Sequence, residues 1–345
     1  MKTLVRALIL ISACVGVKVF ALEPVSAIPN MFYQVPFLSI EDVVLGEGCY
    51  SLKAGAHHLD CNPAFLHGNQ HREVRANIFI DKRVGDLVDS GEKLSDDDYA
   101  GLINKLAPRH EASAARLAGS LWYRHDWWAI GYVPLRLKYA SNIQNPAYPQ
   151  MALSLIRESE LFLRAGVGFE DIPGLAAGVN LRYLSQKYIH QQTALFDLIS
   201  DPSLARTRSR EVFSVEPGLT YTFANDTWKP VMSLTVTHPE LNPGVEVGFS
   251  STPEFAHGRL VTATHYSVNA PGVHPFKRFR WSGRYDFDNH LALVASVGKG
   301  DYGASLSTAI DSLTLGVAYK NEELDYARLH SKSSETYMFE GGLTF

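Results

Sequence analysis

The sequence predicts an all-β fold, a transmembrane antiparallel β-barrel of about fourteen strands. Three observations predict it. Segments of about ten residues alternate apolar and polar side chains from Arg72 to the end of the 345-residue chain, the pattern of strands with one dry and one wet face. Successive connections are short at one end and long at the other, as in barrels that cross a bilayer. The final segment, Thr336 to Phe345, sets Tyr337, Phe339, Gly341, Leu343 and Phe345 on one face and Thr336, Glu340, Gly342 and Thr344 on the other, so the chain end reads as an anchored strand.

Met1 to Ala27 reads as a secretory signal. Lys2 and Arg6 precede the apolar run Ala7 to Val17, and Val19-Phe20-Ala21 or Val25-Ser26-Ala27 offers a cleavage site. Ile11-Ser12-Ala13-Cys14 also fits a lipoprotein box. The formal charge is −4 over the whole chain and becomes more negative once Lys2, Arg6 and Lys18 leave. That balance argues against a nucleic-acid partner. Beyond the signal no apolar run is long enough for a spanning helix.

Residues 28–70 show no sustained period and carry Pro29, Pro36, Gly46, Gly48, Gly55 and Pro63. An irregular stretch of about forty residues is too long for a linker and reads as a plug inside the barrel. Cys49 and Cys61 form a candidate disulfide, as an oxidising periplasm permits. His57, His58, Asp60, Cys61, His67 and His71 are numerous but match no zinc spacing, so no metal or cofactor is expected.

The barrel, residues 71–345, begins with Val74, Ala76, Ile78 and Ile80 alternating against Glu73, Arg75, Asn77 and Asp81, with Phe79 on the polar side. A helix follows in the first outer connection: Ser95 is an N-cap with Asp96 to Asp98 in the first turn, Tyr99, Leu102, Ile103 and Leu106 fall at helical spacing, and Pro108 stops it. Strand two sets Leu117, Gly119, Leu121 and Tyr123 against Ala118, Ser120, Trp122 and Arg124. In strand three Ala129, Val133, Leu135, Leu137 and Tyr139 oppose Ile130, Tyr132, Arg136 and Lys138. Leu161 to Phe169 and Leu175 to Tyr183 follow, with Glu158, Glu160, Arg164, Asn180 and Arg182 on their polar faces. Phe213 to Phe223 is the sixth strand, interrupted by Pro217-Gly218. Then come Trp228 to Thr237, Val245 to Ser250 and Leu260 to Val268. Lys277 to Phe287 alternates most clearly, Phe279, Trp281, Tyr285 and Phe287 against Arg278, Arg280, Ser282, Arg284 and Asp286. Leu291 to Val297, Tyr302 to Leu306, Leu313 to Tyr319 and the terminal strand complete the count.

The short connections are His125-Asp126, Glu170 to Gly174, Asn225-Asp226, Ser251 to His257, Asp288-Asn289 and Ile310-Asp311. The long ones are Lys82 to Ala115, Ala140 to Arg157, Gln186 to Arg210, Ala270 to Phe276 and Asn321 to Glu335, with Lys299 to Asp301 the short exception. The inward row Arg278, Arg280 and Arg284 would cost about 2–4 kcal/mol per residue facing lipid at mid-depth. It is expected to pair with Glu158, Glu160, Glu216 or the plug, or to bind a carboxylate in the lumen. Pro217-Gly218 reads as a strand kink or as an opening in the wall. His265 and Ser267 share an inward face, but nothing nearby specifies a base and an orienting group, so no enzyme is expected.

Two segments carry a resemblance. The terminal strand, with Leu343 and Phe345, resembles the assembly signal of bacterial outer-membrane barrels, although Glu340 stands where that signal prefers glycine. Asn62-Pro63-Ala64, ahead of the first strand, is similar to a motif in the FadL-like outer-membrane family, which includes a conjugation-associated TraF-like branch. The helical insertion after strand one also resembles that family. The resemblance implies an outer-membrane location, contact with lipid and the barrel-assembly machinery, and uptake of hydrophobic small molecules such as long-chain fatty acids, with sideways exit near Pro217. A TraF-like structural or assembly barrel without a substrate fits the same features. A passive porin is disfavoured by the plug.

Overall fold

The structure, a computed structural model, describes residues 38–54, 58–67, 72–81, 113–144, 150–194, 197, 208–237, 244–255, 258–268, 278–287, 290–298, 300–324 and 332–345. Fourteen antiparallel strands close into a ring. They are β1 Glu73–Asp81, β2 Ser113–His125, β3 Trp128–Gln144, β4 Gln150–Gly168, β5 Leu175–Ala194, β6 Arg208–Thr222, β7 Val231–Thr237, β8 Gly244–Ser251, β9 Gly258–Ser267, β10 Phe279–Phe287, β11 Leu291–Gly298, β12 Asp301–Ile310, β13 Leu313–Leu324 and β14 Lys332–Thr344. A two-residue strand, Glu254–Phe255, folds back on the start of β9.

Closure comes from the chain end. β14 pairs with β1 from Arg75 opposite Thr344 to Asp81 opposite Met338. Beyond the ladder, the Phe345 N–H donates to the Val74 carbonyl at 2.9 Å and the Phe345 carbonyl accepts from Val74 N–H at 3.3 Å. The wall therefore has no unpaired edge at the seam, which a spanning sheet requires. The outward faces are apolar, with Ile78 54% and Phe339 52% exposed among many aliphatic and aromatic side chains. Such a continuous band marks a lipid-facing surface.

Inside the ring lies the N-terminal segment. A short helix, α1, spans Ile40–Leu45; Ser39 caps it, its hydroxyl accepting from Asp42 N–H while the Asp42 carboxylate accepts from Ser39 N–H. Two 3-10 turns follow, Gly46–Tyr50 and Pro63–Leu66. The core sits between this segment and the wall. Ile40, Val43, Val44, Cys49, Tyr50 and Leu52 pack with inward-facing Phe79, Ala118, Val261, Val294 and Met338.

Two expectations are corrected. The connections predicted over 140–157, 186–210 and 321–335 are largely strand, because β3 runs to Gln144, β4 starts at Gln150, β5 runs to Ala194, β6 starts at Arg208, β13 runs to Leu324 and β14 starts at Lys332. Strand three also changes face. Ile130 and Tyr132 point outward, and Ala129 and Val133 are buried inside. A register shift between Val133 and Arg136 then turns Arg136 and Lys138 inward. Pro134 occupies that shift, where its missing N–H is tolerated. The predicted helix over 95–108 lies outside the described residues, and the end of its connection, 113–115, belongs to β2.

Candidate functional site: the plugged lumen

Each part of the inner segment is held by a different arc of wall. The carboxylate of Glu41 accepts from Arg284 of β10 at 2.6 Å and from the Ser307 hydroxyl of β12 at 2.8 Å, and contacts His58 Nε2 at 3.0 Å. Ile40 N–H donates to Glu340 of β14 at 2.8 Å. Lys320 of β13 donates to the Val43 carbonyl at 2.7 Å, and Ser296 of β11 to the Val44 carbonyl at 2.5 Å. These are charge-assisted or backbone-capping contacts in a buried setting, which bind more strongly than neutral pairs in water.

The Asn62-Pro63-Ala64 segment lies on a track of wall glycines. An ideal Cβ at Gly218 of β6 would lie 2.2 Å from Asn62 Oδ1, and one at Gly178 of β5 would lie 2.4 Å from the Pro63 carbonyl carbon. Only residues without a Cβ let the plug backbone approach this closely. Asn62 also caps its own turn, its side-chain oxygen accepting from Ala64 N–H at 3.0 Å, while its amide donates to the Leu219 carbonyl at 3.4 Å.

Cys49 and Cys61 are joined, with Cα atoms 5.7 Å apart. Their sulfurs lie near Asp42, but sulfurs spent in a disulfide are not thiolate ligands.

The arginine row divides. Arg284 is bound to Glu41 and, at 2.5 Å, to Asp286; Arg280 is bound to Asp301 of β12; Arg278 donates to the Val268 carbonyl at 2.8 Å. The acids expected to meet them lie elsewhere. Glu158 pairs with Arg136 and Lys138, Glu160 with Arg136 and Arg182, and Glu216 with Arg182 and Asn180. Those acids sit on β4 and β6 with cations of β3 and β5 beside them, so the pairing is between strand neighbours.

His265 gains a partner that sequence spacing cannot reveal. Its Nδ1 lies 2.9 Å from the Ser51 hydroxyl of the inner segment, and its Nε2 lies 2.7 Å from Glu246, which also accepts from Ser267 at 2.6 Å. A nucleophilic serine needs space for a carbonyl. Ser51 Oγ instead rests on the backbone of Gly248, where a Cβ would lie 1.7 Å away, and Ser51, His265 and Glu246 are all buried. The trio fastens plug to wall.

Pro217 marks a change in the wall. On one side the ladder is continuous, Val179 opposite Pro217 and Gly178 opposite Gly218. On the other side, among the described residues, pairing of β6 with β7 runs only from Thr222 opposite Val231 to Gly218 opposite Thr235. Among the described residues, 216–217 thus pair on their β5 side alone, and Asn62 and Pro63 stand against Gly218 where the second ladder stops. Below the plug, at the short-turn end, a cavity of about 1180 Å³ is lined by Phe65, His67, Trp127, Phe169, Val231 and Arg259, among others.

No family model matches the sequence, and no curated protein does. Solved structures are similar in fold. A deletion mutant of the TodX monoaromatic hydrocarbon channel shows 10% identity and a TM-score of 0.46, covering 89% of this chain and 98% of that one. The CymD monoaromatic hydrocarbon channel shows 10% identity and 0.44, covering 86% and 94%. The Pseudomonas putida toluene transporter TodX shows 9% identity and 0.43, covering 86% and 94%.

Proposed function

We propose that the protein is an outer-membrane channel for hydrophobic small molecules, which leave the lumen sideways between β6 and β7. The observation that carries this reading is the end of the β6–β7 ladder at Gly218 and Thr235, with the plug tip at the same level. An apolar solute gains by leaving a polar lumen for hydrocarbon instead of crossing a second aqueous space. The mixed lining of the cavity below the plug is compatible with such a solute. Long-chain fatty acids and alkylbenzenes are the substrates to try first.

The test is a cross-link. Thr237 follows Thr235 on β7 and, by extension of the register, would face Glu216 on β6. Cells carrying Glu216→Cys with Thr237→Cys should accumulate labelled fatty acid or alkylbenzene only after the bond is reduced, with Glu216→Cys alone as control. Equal accumulation with the bond closed would overturn sideways exit. No accumulation by the unmodified protein, either with or without reductant, would overturn transport.

A second reading is a structural envelope barrel without cargo. The buried chain Lys138, Glu158, Arg136, Glu160, Arg182 and Glu216 favours it, because it fills one side of the lumen with paired charge. The same accumulation assay separates the two.

A further inference from the structure

We propose that the Cys49–Cys61 disulfide is a redox-operated strap that keeps the lumen shut. This rests on the reading of the inner segment as the barrier in a channel and concerns its regulation.

The strap joins two anchors held by different arcs of the wall. The first is α1 and the turn after it, held by β10 to β14 through Glu41, Val43, Val44 and Ile40, and by β9 through Ser51. The second is His58 to His67. Arg124 of β2 donates to the His58 carbonyl at 3.2 Å, Arg164 of β4 to the Asp60 carbonyl at 2.5 Å, and the glycine track of β5 and β6 receives Asn62 and Pro63. In ring order β5 stands across from β12. Cys49 lies within the first anchor and Cys61 within the second, so the bond, with Cα atoms 5.7 Å apart, ties the two together where they meet. Without it the anchors remain joined by the His58–Glu41 contact at 3.0 Å, by the Ala54 N–H donating to Asp60 at 2.7 Å, by packing of Leu38 with Leu59 and Leu66, and by a chain that can extend to roughly 40 Å.

The reductant is a dithiol. One of its thiolates attacks Cys61 Sγ, the Cys49–Cys61 bond breaks, and Cys49 leaves as a thiolate that takes a proton. The second thiol of the reductant then attacks the mixed disulfide and releases Cys61 as a thiol. Two electrons and two protons pass to the cystine and the reductant becomes a disulfide. Both sulfurs are buried, so exchange proceeds through transient loosening of the plug, and the reduced state then favours the loosened form because loop closure no longer opposes it.

The experiment uses the full-length protein in liposomes, oxidised, reduced with dithiothreitol, and as the Cys49→Ser/Cys61→Ser variant. Swelling in arabinose reads opening of the lumen, maleimide labelling reads completeness of reduction, and gel mobility before and after heating reads whether the barrel is folded. The expected result is a rise of about tenfold in swelling rate on reduction, matched by the variant without reductant. A fully labelled, folded, reduced protein that swells like the oxidised one overturns the strap. Thiols that stay unlabelled under dithiothreitol overturn it too. Neither result touches transport, which is scored separately by accumulation of labelled fatty acid or alkylbenzene in cells.

Discussion

Arg284 on the wall donates to Glu41 in the plug at 2.6 Å, across 243 positions of sequence. Each charge is inside the barrel and answers the other's desolvation. Removing only the cation leaves a buried carboxylate facing His58 and Ser307. Arg284→Ala should therefore weaken plug docking by about 3–5 kcal/mol. Glu41→Gln with Arg284→Met should recover part of that loss, because the buried carboxylate of Glu41 is then gone and Asp286, the other partner of Arg284, is partly exposed to solvent. Proteolysis of the plug across a denaturant series reads both effects.

The glycine track makes a steric prediction. At Gly178 a Cβ would meet the Pro63 backbone, which cannot move as a flexible side chain would. Gly178→Val should expel the Asn62-Pro63-Ala64 segment and raise single-channel conductance, while the barrel still shows its heat-dependent gel shift. Gly341, around which nothing lies within 4 Å, is the control site, and Gly341→Ala should leave conductance unchanged.

Two plug residues should respond to pH with opposite sign. Burial pushes the Asp42 carboxyl up to about 6. The docked plug holds that proton where the released plug does not, so docking through Asp42 strengthens as pH falls from about 6 towards 3.8. Burial pushes the His58 imidazole below its ordinary 6.5, with Glu41 opposing. The released plug then binds the proton first, so docking through His58 weakens as pH falls below 6.5. Plug proteolysis should thus be slower at pH 5 than at pH 7 in His58→Gln and faster at pH 5 in Asp42→Asn. The same sign in both variants would show that neither group controls docking.

The chain end should govern assembly. Phe345 exchanges two backbone hydrogen bonds with Val74 at the seam. Deleting it removes both and exposes the start of β1. The fraction reaching the heat-shifted, folded form should drop, and Phe345→Trp should restore it. A full folded yield after deletion would remove this role.

The barrel was legible because lipid enforces the pattern: Phe279 and Trp281 outward, Ser282 and Arg284 inward, is a period of two that any reader can count. Where a strand leaves hydrocarbon the rule lapses. The segment Gln186 to Ala194 is strand in β5 yet has no clean alternation, and Tyr188 and Ile189, which point to opposite faces, are both buried. Pro134 hid a change of face in β3, because a bulge shifts the period without altering composition. The contents of the lumen were legible only as a list of types. Arg284 could be placed inside by its cost in lipid, but its partner lies in a segment without periodicity. Ser51 was invisible as a neighbour of His265 for the same reason: contacts across the lumen leave no spacing to read.

The unequal heights of the wall have their own consequence. β5 has 20 residues and β11 has 8. At about 3.3 Å per residue and a tilt of about 40°, these reach roughly 50 Å and 20 Å along the membrane normal. Hydrocarbon accounts for only about 30 Å. One flank therefore stands as a parapet above the bilayer while the opposite flank ends near its surface. Among the described residues the wall thus has a tall side and a low side, so the molecule has a front and a back in the plane of the membrane.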